Sequence, residues 1–418
     1  MIDPLAIWSA SRVVSLGSCA LSSYFIPHHD YSYSLLGDSS PFLFLVRWDA
    51  IFFYKIARDG YITENMTAFF PLYPMLIRAL SHCGLSMVSA GAVISNLSFL
   101  ISSLILFRMT EKYLGRDSAV KACFLFCFSP CSIIYSSLYT ESLFSMFVLL
   151  SINSVLSQDA LSAVWMVLAS TVRSNGFILA PVVFLGLAGA YSYLSSAVLS
   201  LLPILVFAGI QLYWWVARFP YITTLPYSYI QSKYWEQGFL EFYRHGKNIP
   251  NFLVGFPFII LSCCVMGSYL LREKSFLYSL CKQATGHVVR ARKNKRSEIK
   301  GKEQKENRDR SALGDDILTQ KIGQTAAEDG KMQQKKRGSE TFPLIRMFLQ
   351  CVLLFQVFLS IFFIHMNMHF RFVSYNPVIY WELSEIFQKG GIWRLGLFGY
   401  VCFGIAYAVL YGAYFPPA

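Results

Sequence analysis

Residues 46–74 read VRWDAIFFYKIARDGYITENMTAFFPLYP. Arg47, Asp49, Lys55, Arg58, Asp59 and Glu64 make this stretch too polar to cross a bilayer, where each central charge is costly. The sequence on either side differs in kind. Residues 6–26 and 86–107 are apolar runs of the length that a spanning helix needs, about 20 residues. A polar, aromatic loop between two spans decides the fold class: an all-α polytopic membrane protein with a long first loop, 27–85.

Composition points the same way. Of 418 residues, 55% are hydrophobic and only 14% charged, against about 25% charged in soluble domains. The net charge of +12 is no nucleic-acid signal, because residues 282–340 hold 16 basic and 9 acidic residues and so carry most of the surplus. The partner this balance predicts is the lipid bilayer, and no nucleic acid. Most of the ten cysteines sit in apolar runs. Cys123, Cys127 and Cys131 share a helical face but are read as packing residues, so no metal site or disulfide framework is expected. The N-terminus lacks a basic n-region, and its first apolar run is expected to stay in the protein as a signal anchor.

Further apolar runs at 119–136, 142–157, 160–175, 177–195, 196–217, 251–271, 343–364, 372–388 and 392–412 bring the expected total to about eleven transmembrane helices. Three parts follow. Residues 1–271 form an N-terminal transmembrane part containing the loop 27–85 and a polar, aromatic segment at 218–250. Residues 272–342 form a charged insertion, expected to be disordered and cytosolic because it contains too little apolar surface to offset ordering. Residues 343–418 form a C-terminal transmembrane part.

A cytosolic insertion fixes the topology. Counting spans outward puts the basic loop 108–121 in the cytosol as well, as the positive-inside rule asks. The same count puts five segments together on the lumenal side: 27–85, the YTES corner, RSNG at 173–176, 218–250 and HMNMHFR at 365–371. Residues 42–62 show helical spacing of apolar and charged faces and are read as an interfacial helix with its hydrophobic side toward lipid. Polar motifs on one face, joined by nearly charge-free spans, favour a surface active site over a transporter, which would carry polar residues at mid-span.

The pieces RWDA, IARDGY, AFFPLYP, SLYTESLF, RSNG, KYWEQGFLEFY, IPNFLVGFP and HMNMHFRF occur in this order between residues 47 and 372. Together they resemble the GPI mannosyltransferase 2 (PIG-V) family. The resemblance implies a GT-C-type glycosyltransferase in the endoplasmic reticulum membrane. Its donor would be dolichyl phosphate mannose and its acceptor the one-mannose GPI-anchor precursor, a mannosyl-glucosaminyl-phosphatidylinositol. It would attach the second mannose in α-1,6 linkage, without a cofactor, and it leaves room for an accessory membrane subunit. Another transferase using a dolichyl-phosphate sugar is the nearest alternative, and a lipid or solute transporter the next. Where some members carry an acid and a histidine after WDA, this chain has Ile51 and Phe52.

A β-linked donor and an α product require one inversion, and so one carboxylate base for the attacking hydroxyl. A phosphate leaving group departs as a stable anion and asks for cations rather than a general acid. Asp49 is the expected base, against a structural ion pair with Arg47 or Arg58. Glu64 and Glu141 are candidate second acids or acceptor contacts. Arg371, His365 and Arg173 are candidates for the donor phosphate, with a membrane anchor the alternative for Arg371. Trp48, Tyr234 and Trp235 are candidate sugar or lipid contacts. His28, His29 and Asp30 resemble a metal triad only in composition, and the site is expected to work without metal. The sequon at Asn65 is expected to be unmodified, because it lies close to the membrane and to the site.

Overall fold

The computed structural model of the chain describes residues 3–276, 278, 282 and 326–415. Fifteen helices are used here: α1 Pro4–Phe25, α2 Ala50–Asp59, α3 Leu72–Ser81, α4 Met87–Leu114, α5 Arg116–Cys127, α6 Glu141–Leu156, α7 Leu161–Val172, α8 Ala180–Leu187, α9 Tyr193–Tyr213, α10 Pro226–Trp235, α11 Ile249–Arg272, α12 Ala326–Phe362, α13 His369–Val373, α14 Pro377–Ile386 and α15 Ile392–Gly412. The described residues include no strand. Among the described residues, six helices are long and apolar enough to cross a membrane: Pro4–Phe25, Met87–Leu114, Tyr193–Arg218, Gly246–Arg272, Thr341–Phe362 and Ile392–Gly412. Glu141–Leu156, Leu161–Val172 and Ser174–Leu187 are shorter apolar helices. The protein is an all-α polytopic membrane protein.

Helix ends follow local chemistry. Asp3 accepts from the Leu5 N–H at 3.0 Å ahead of Pro4, and Ser86 and Ser192 cap α4 and α9 in the same way. In the first half of α4 the buried face is mostly small, with Gly91, Ala92, Ser95, Ser98 and Ser102, which lets neighbouring helices approach closely. The Ser102 hydroxyl donates to the Ser98 carbonyl at 2.7 Å, so the serine brings no unsatisfied group into an apolar setting. Around α4 pack α3, α5 and α6; α6 packs on α7, and α1 on α15.

The chain divides into two compact units, Met1–Met266 with Lys335–Ala418, and Gly267–Gln334. The second unit contains the end of α11 and the start of α12. Residues 283–325 of the predicted insertion lie outside the described residues. The insertion's last part, from Ala326, is helical instead of disordered. Alanine, glutamate, lysine and glutamine dominate there and are strong helix formers.

Three other expectations change. The run 119–136 is not one span: α5 stops at Cys127 and residues 128–140 form buried turns. Pro130 cannot continue the helix, and α1 supplies donors for the freed carbonyls. Arg12 donates to Ser132 O at 2.9 Å and Cys127 O at 3.2 Å. The run 372–388 is broken at Asn376–Pro377 into α13 and α14, since a residue before proline avoids helical geometry.

The third change concerns α2. Its apolar side faces protein rather than lipid: Ala50, Phe53, Tyr54, Ile56 and Ala57 are all buried. Phe53 lies edge-on to Tyr73 and Phe69, with ring centroids 5.4 and 5.1 Å away. The loop 27–85 is therefore a packed layer on the helical body. Gly60, at φ +81°, closes α2 with its N–H on Ile56 O.

Candidate active site

Asp49 stands immediately before α2, where an aspartate commonly caps the first free N–H groups. Here its backbone is itself helical and its side chain makes no capping bond, so the carboxylate stays available. Trp48 beside it sits at φ +52°, a left-handed conformation that a bulky residue adopts only when its surroundings hold it there. Those surroundings are specific. The fully buried Arg47 donates to Val46 O at 3.0 Å, Ser23 Oγ at 3.0 Å and Gly412 O at 3.2 Å. Its guanidinium lies over Tyr33, 4.5 Å from the ring centre. Tyr139 donates to the Arg47 carbonyl at 3.1 Å, and Tyr411 to Leu45 O at 3.0 Å. Backbone carbonyls and rings hold this cation. The ion-pair alternative for Asp49 is thereby removed, since Arg58 pairs with Asp59 at 2.9 Å.

Asp49 lines a cavity of about 520 Å³ together with Trp48, Arg173, His365, Arg371, Tyr234 and Trp235. The segments that supply the cavity wall are four of the five polar segments of the sequence reading, and the fifth stands directly behind them. Glu141, the first residue of α6, is buried, and its Oε1 accepts from Arg371 Nη2 at 2.7 Å and Nε at 3.0 Å. Arg173 Nη1 reaches the same oxygen at 2.8 Å. Two guanidiniums against one carboxylate leave a net positive charge beside Asp49. Arg371 also lies over Tyr139, 4.8 Å from the ring centre, which ties it to the Arg47 carbonyl.

Burial pushes the Asp49 carboxyl above the usual carboxylate range; Arg371 and Arg173 pull it back, and Glu141 adds to the rise. Arg371 is almost wholly buried, lines the cavity and holds Glu141. Arg173 retains 20% side-chain exposure and is the more open of the two cations. His365 is engaged as well, with Nε2 2.6 Å from Trp235 O.

Glu64 lies apart from the cavity lining. Lys233 and Tyr234 donate to it, the latter at 2.6 Å, and hold its carboxyl below the usual range. It clamps α10 onto the 3₁₀ turn Glu64–Ala68. Thr67 of the sequon is fully buried and donates to Glu64 O at 2.7 Å. The three residues of the triad-like run face different partners. His28 Nδ1 meets Tyr33 Oη at 2.8 Å, His29 stacks on Phe415, and Asp30 accepts from the Ser32 N–H. Cys123, Cys127 and Cys131 are buried core residues.

Among the lining residues that the sequence did not mark as site candidates are two amides, Asn175 and Asn367. Both sit inside the motifs RSNG and HMNMHFR, close to Arg173 and Arg371. A neutral amide beside a charged residue was the available signal.

Comparison with known proteins bears on these residues. The family described as mannosyltransferase (PIG-V) matches residues 38–208 and 206–394, which include every residue of the cavity wall. The chain is similar to GPI alpha-1,6-mannosyltransferase 2 of Cricetulus griseus, at 30% identity over 54% of this chain and 58% of the relative. It is also similar to GPI mannosyltransferase 2 of Schizosaccharomyces pombe, at 29% over 52% and 53%, and of Drosophila pseudoobscura pseudoobscura, at 27% over 52% and 61%. The matched stretches thus span a little over half the length of these relatives.

Proposed function

Because the chain belongs to the mannosyltransferase (PIG-V) family, we propose that it transfers the second mannose of the GPI anchor, in α-1,6 linkage, to the one-mannose precursor. The donor in this reading is dolichyl phosphate mannose, and the reaction takes place on the lumenal side of the endoplasmic reticulum membrane. The observation that carries it is the meeting of Asp49 with the Arg173–Glu141–Arg371 cluster at one cavity.

The chemistry assigned to that arrangement is a single displacement. The acceptor hydroxyl oxygen attacks the anomeric carbon, and the bond from that carbon to the phosphate oxygen breaks. Dolichyl phosphate leaves with the bonding electron pair, and the hydroxyl proton passes to Asp49. Attack from the face opposite the leaving group inverts the β-linked donor to an α product. The net positive charge of the cluster stabilises the departing phosphate, which needs no general acid. Arg173, the more open cation, makes the nearer phosphate contact in this account, and Arg371 fixes Glu141 behind it.

Transfer of radiolabelled mannose in membranes lacking the endogenous enzyme tests the reading. Conversion of the one-mannose precursor to a two-mannose product is the expected result. Mannose transfer to a different lipid-linked acceptor would sink it. Arg173→Gln is expected to weaken apparent donor affinity about tenfold or more, and Glu141→Gln to lower turnover while the protein still inserts.

A further inference from the structure

Asn175 is 94% buried, with 6% of its surface exposed, and it lines the cavity. Neither its Oδ1 nor its Nδ2 has a hydrogen-bond partner among the described residues. Two further polar atoms of the same wall share this condition, the Trp48 indole Nε1 and the Asn367 Oδ1. Folded proteins seldom tolerate such groups, because each unsatisfied buried donor or acceptor costs about 1–3 kcal/mol.

The turn that holds Asn175 is built closely. It follows α7 in the 3₁₀ turn Ser174–Leu179. Gly176 lies so near α7 that a β-carbon there would come within 2.7 Å of the Ser170 backbone nitrogen. The amide is therefore presented by rigid backbone rather than by a mobile loop. Its neighbour Arg173 is tied to Glu141, so Asn175 stands beside the charged cluster without taking part in it.

An amide offers one acceptor and two donors in a fixed plane, and adjacent hydroxyls on a pyranose ring offer the complement. Trp48 adds a donor and Asn367 an acceptor. We infer that Asn175, with Trp48 Nε1 and Asn367 Oδ1, forms a hydroxyl-reading subsite that grips a vicinal diol of a hexopyranose and sets which sugar the enzyme accepts. The inference rests on the proposed mannosyl transfer and adds to it the residues that select the sugar. A site built around buried polar groups rejects a ligand lacking the matching hydroxyl far more strongly than an apolar pocket could, since the protein groups are left unpaired.

The diol could belong to the donor mannose or to the acceptor mannose, and a substrate-by-variant cycle separates them. The full-length protein in nanodiscs, as wild type and as N175A, is assayed with the parent donor and acceptor and with singly deoxygenated versions of each mannose. N175A is expected to lower kcat/KM on the parent substrates by about 10- to 100-fold. On the one deoxy sugar that lacks the contacted hydroxyl, the same substitution is expected to cost less than about threefold. The series in which this collapse occurs identifies the ring that is read.

An equal loss on every donor and every acceptor would overturn the subsite. Thermal unfolding supplies a second criterion. Asn175→Leu removes a group without partners, so a subsite residue leaves the midpoint unchanged or raised, whereas a drop of several degrees marks a structural residue. Wild-type protein that transfers no mannose to the one-mannose precursor would refute the proposed reaction instead. Thermal stabilisation by the donor and its deoxy forms then still reports whether Asn175 distinguishes them.

Discussion

At the scale of single residues, the chemistry turns on one carboxylate held in an unfavourable place. Asp49 has its pKa raised by burial. Between the ordinary value and the raised one, the folded protein therefore keeps a proton that the unfolded chain has lost. Stability falls as pH rises through that window, and above it ionised Asp49 is a net cost to the fold. Asp49→Asn should consequently melt at the wild-type temperature or higher at neutral pH. A general-base role predicts a loss of activity of about 10²–10⁴-fold in the same variant. Normal turnover in purified Asp49→Asn would move the base elsewhere. The base works ionised, so the rate should fall as pH drops through a limb lying above the usual carboxylate range. Arg173→Gln should move that limb to higher pH, because Arg173 helps to hold the proton off. Asp49, Arg173 and Arg371 could be picked out as candidates because charge is scarce in an apolar chain. Glu141's position beneath both arginines was not legible, since it depends on contacts across 32 and 230 positions. Asn175 was missed because a neutral amide is conspicuous only once its partners can be counted.

At the scale of elements, spans and motifs could be read from apolar runs, and short buried pieces could not. Residues 128–140 and α13 continue from or lead into apolar runs, and hydropathy alone cannot separate a lipid-facing helix from a buried turn. The proline positions held the missing information. The same ambiguity misassigned α2, whose apolar side suits a lipid surface and a protein surface equally well. One close approach sets the turn that carries Asn367 and leads into Arg371. A β-carbon on Gly255 of α11 would lie 2.4 Å from Met366 O and 2.7 Å from Asn367 N. Gly255→Ala must push that backbone aside, at a cost of about 1–3 kcal/mol for overpacking. The expected result is a lower melting temperature together with a loss of transfer activity. Gly267→Ala in the same helix, where nothing lies within 4 Å, should change neither.

At the scale of the whole molecule, every residue that lines the site belongs to the first compact unit. Replacing residues 286–325 by a short Gly/Ser linker should leave transfer activity within about twofold of wild type, and abolished transfer in a normally inserted variant would give the insertion a catalytic role. If the insertion faces the cytosol, protease should cut it in sealed microsomes; protection until detergent is added would reverse the topology. The bond from Arg47 to the Gly412 carbonyl spans 365 positions, and Tyr411 and Tyr414 reinforce it through Leu45 and Trp48. A ribosome adding about 5–20 residues per second takes roughly 20–70 s to cover that distance. The segment that presents Asp49 is thus synthesised early and must wait, without its clasp, until α15 arrives in the membrane. Premature termination before Tyr411 should leave an inserted but inactive chain whose first loop is open to protease, and the waiting interval is when the cell's quality control has access to it.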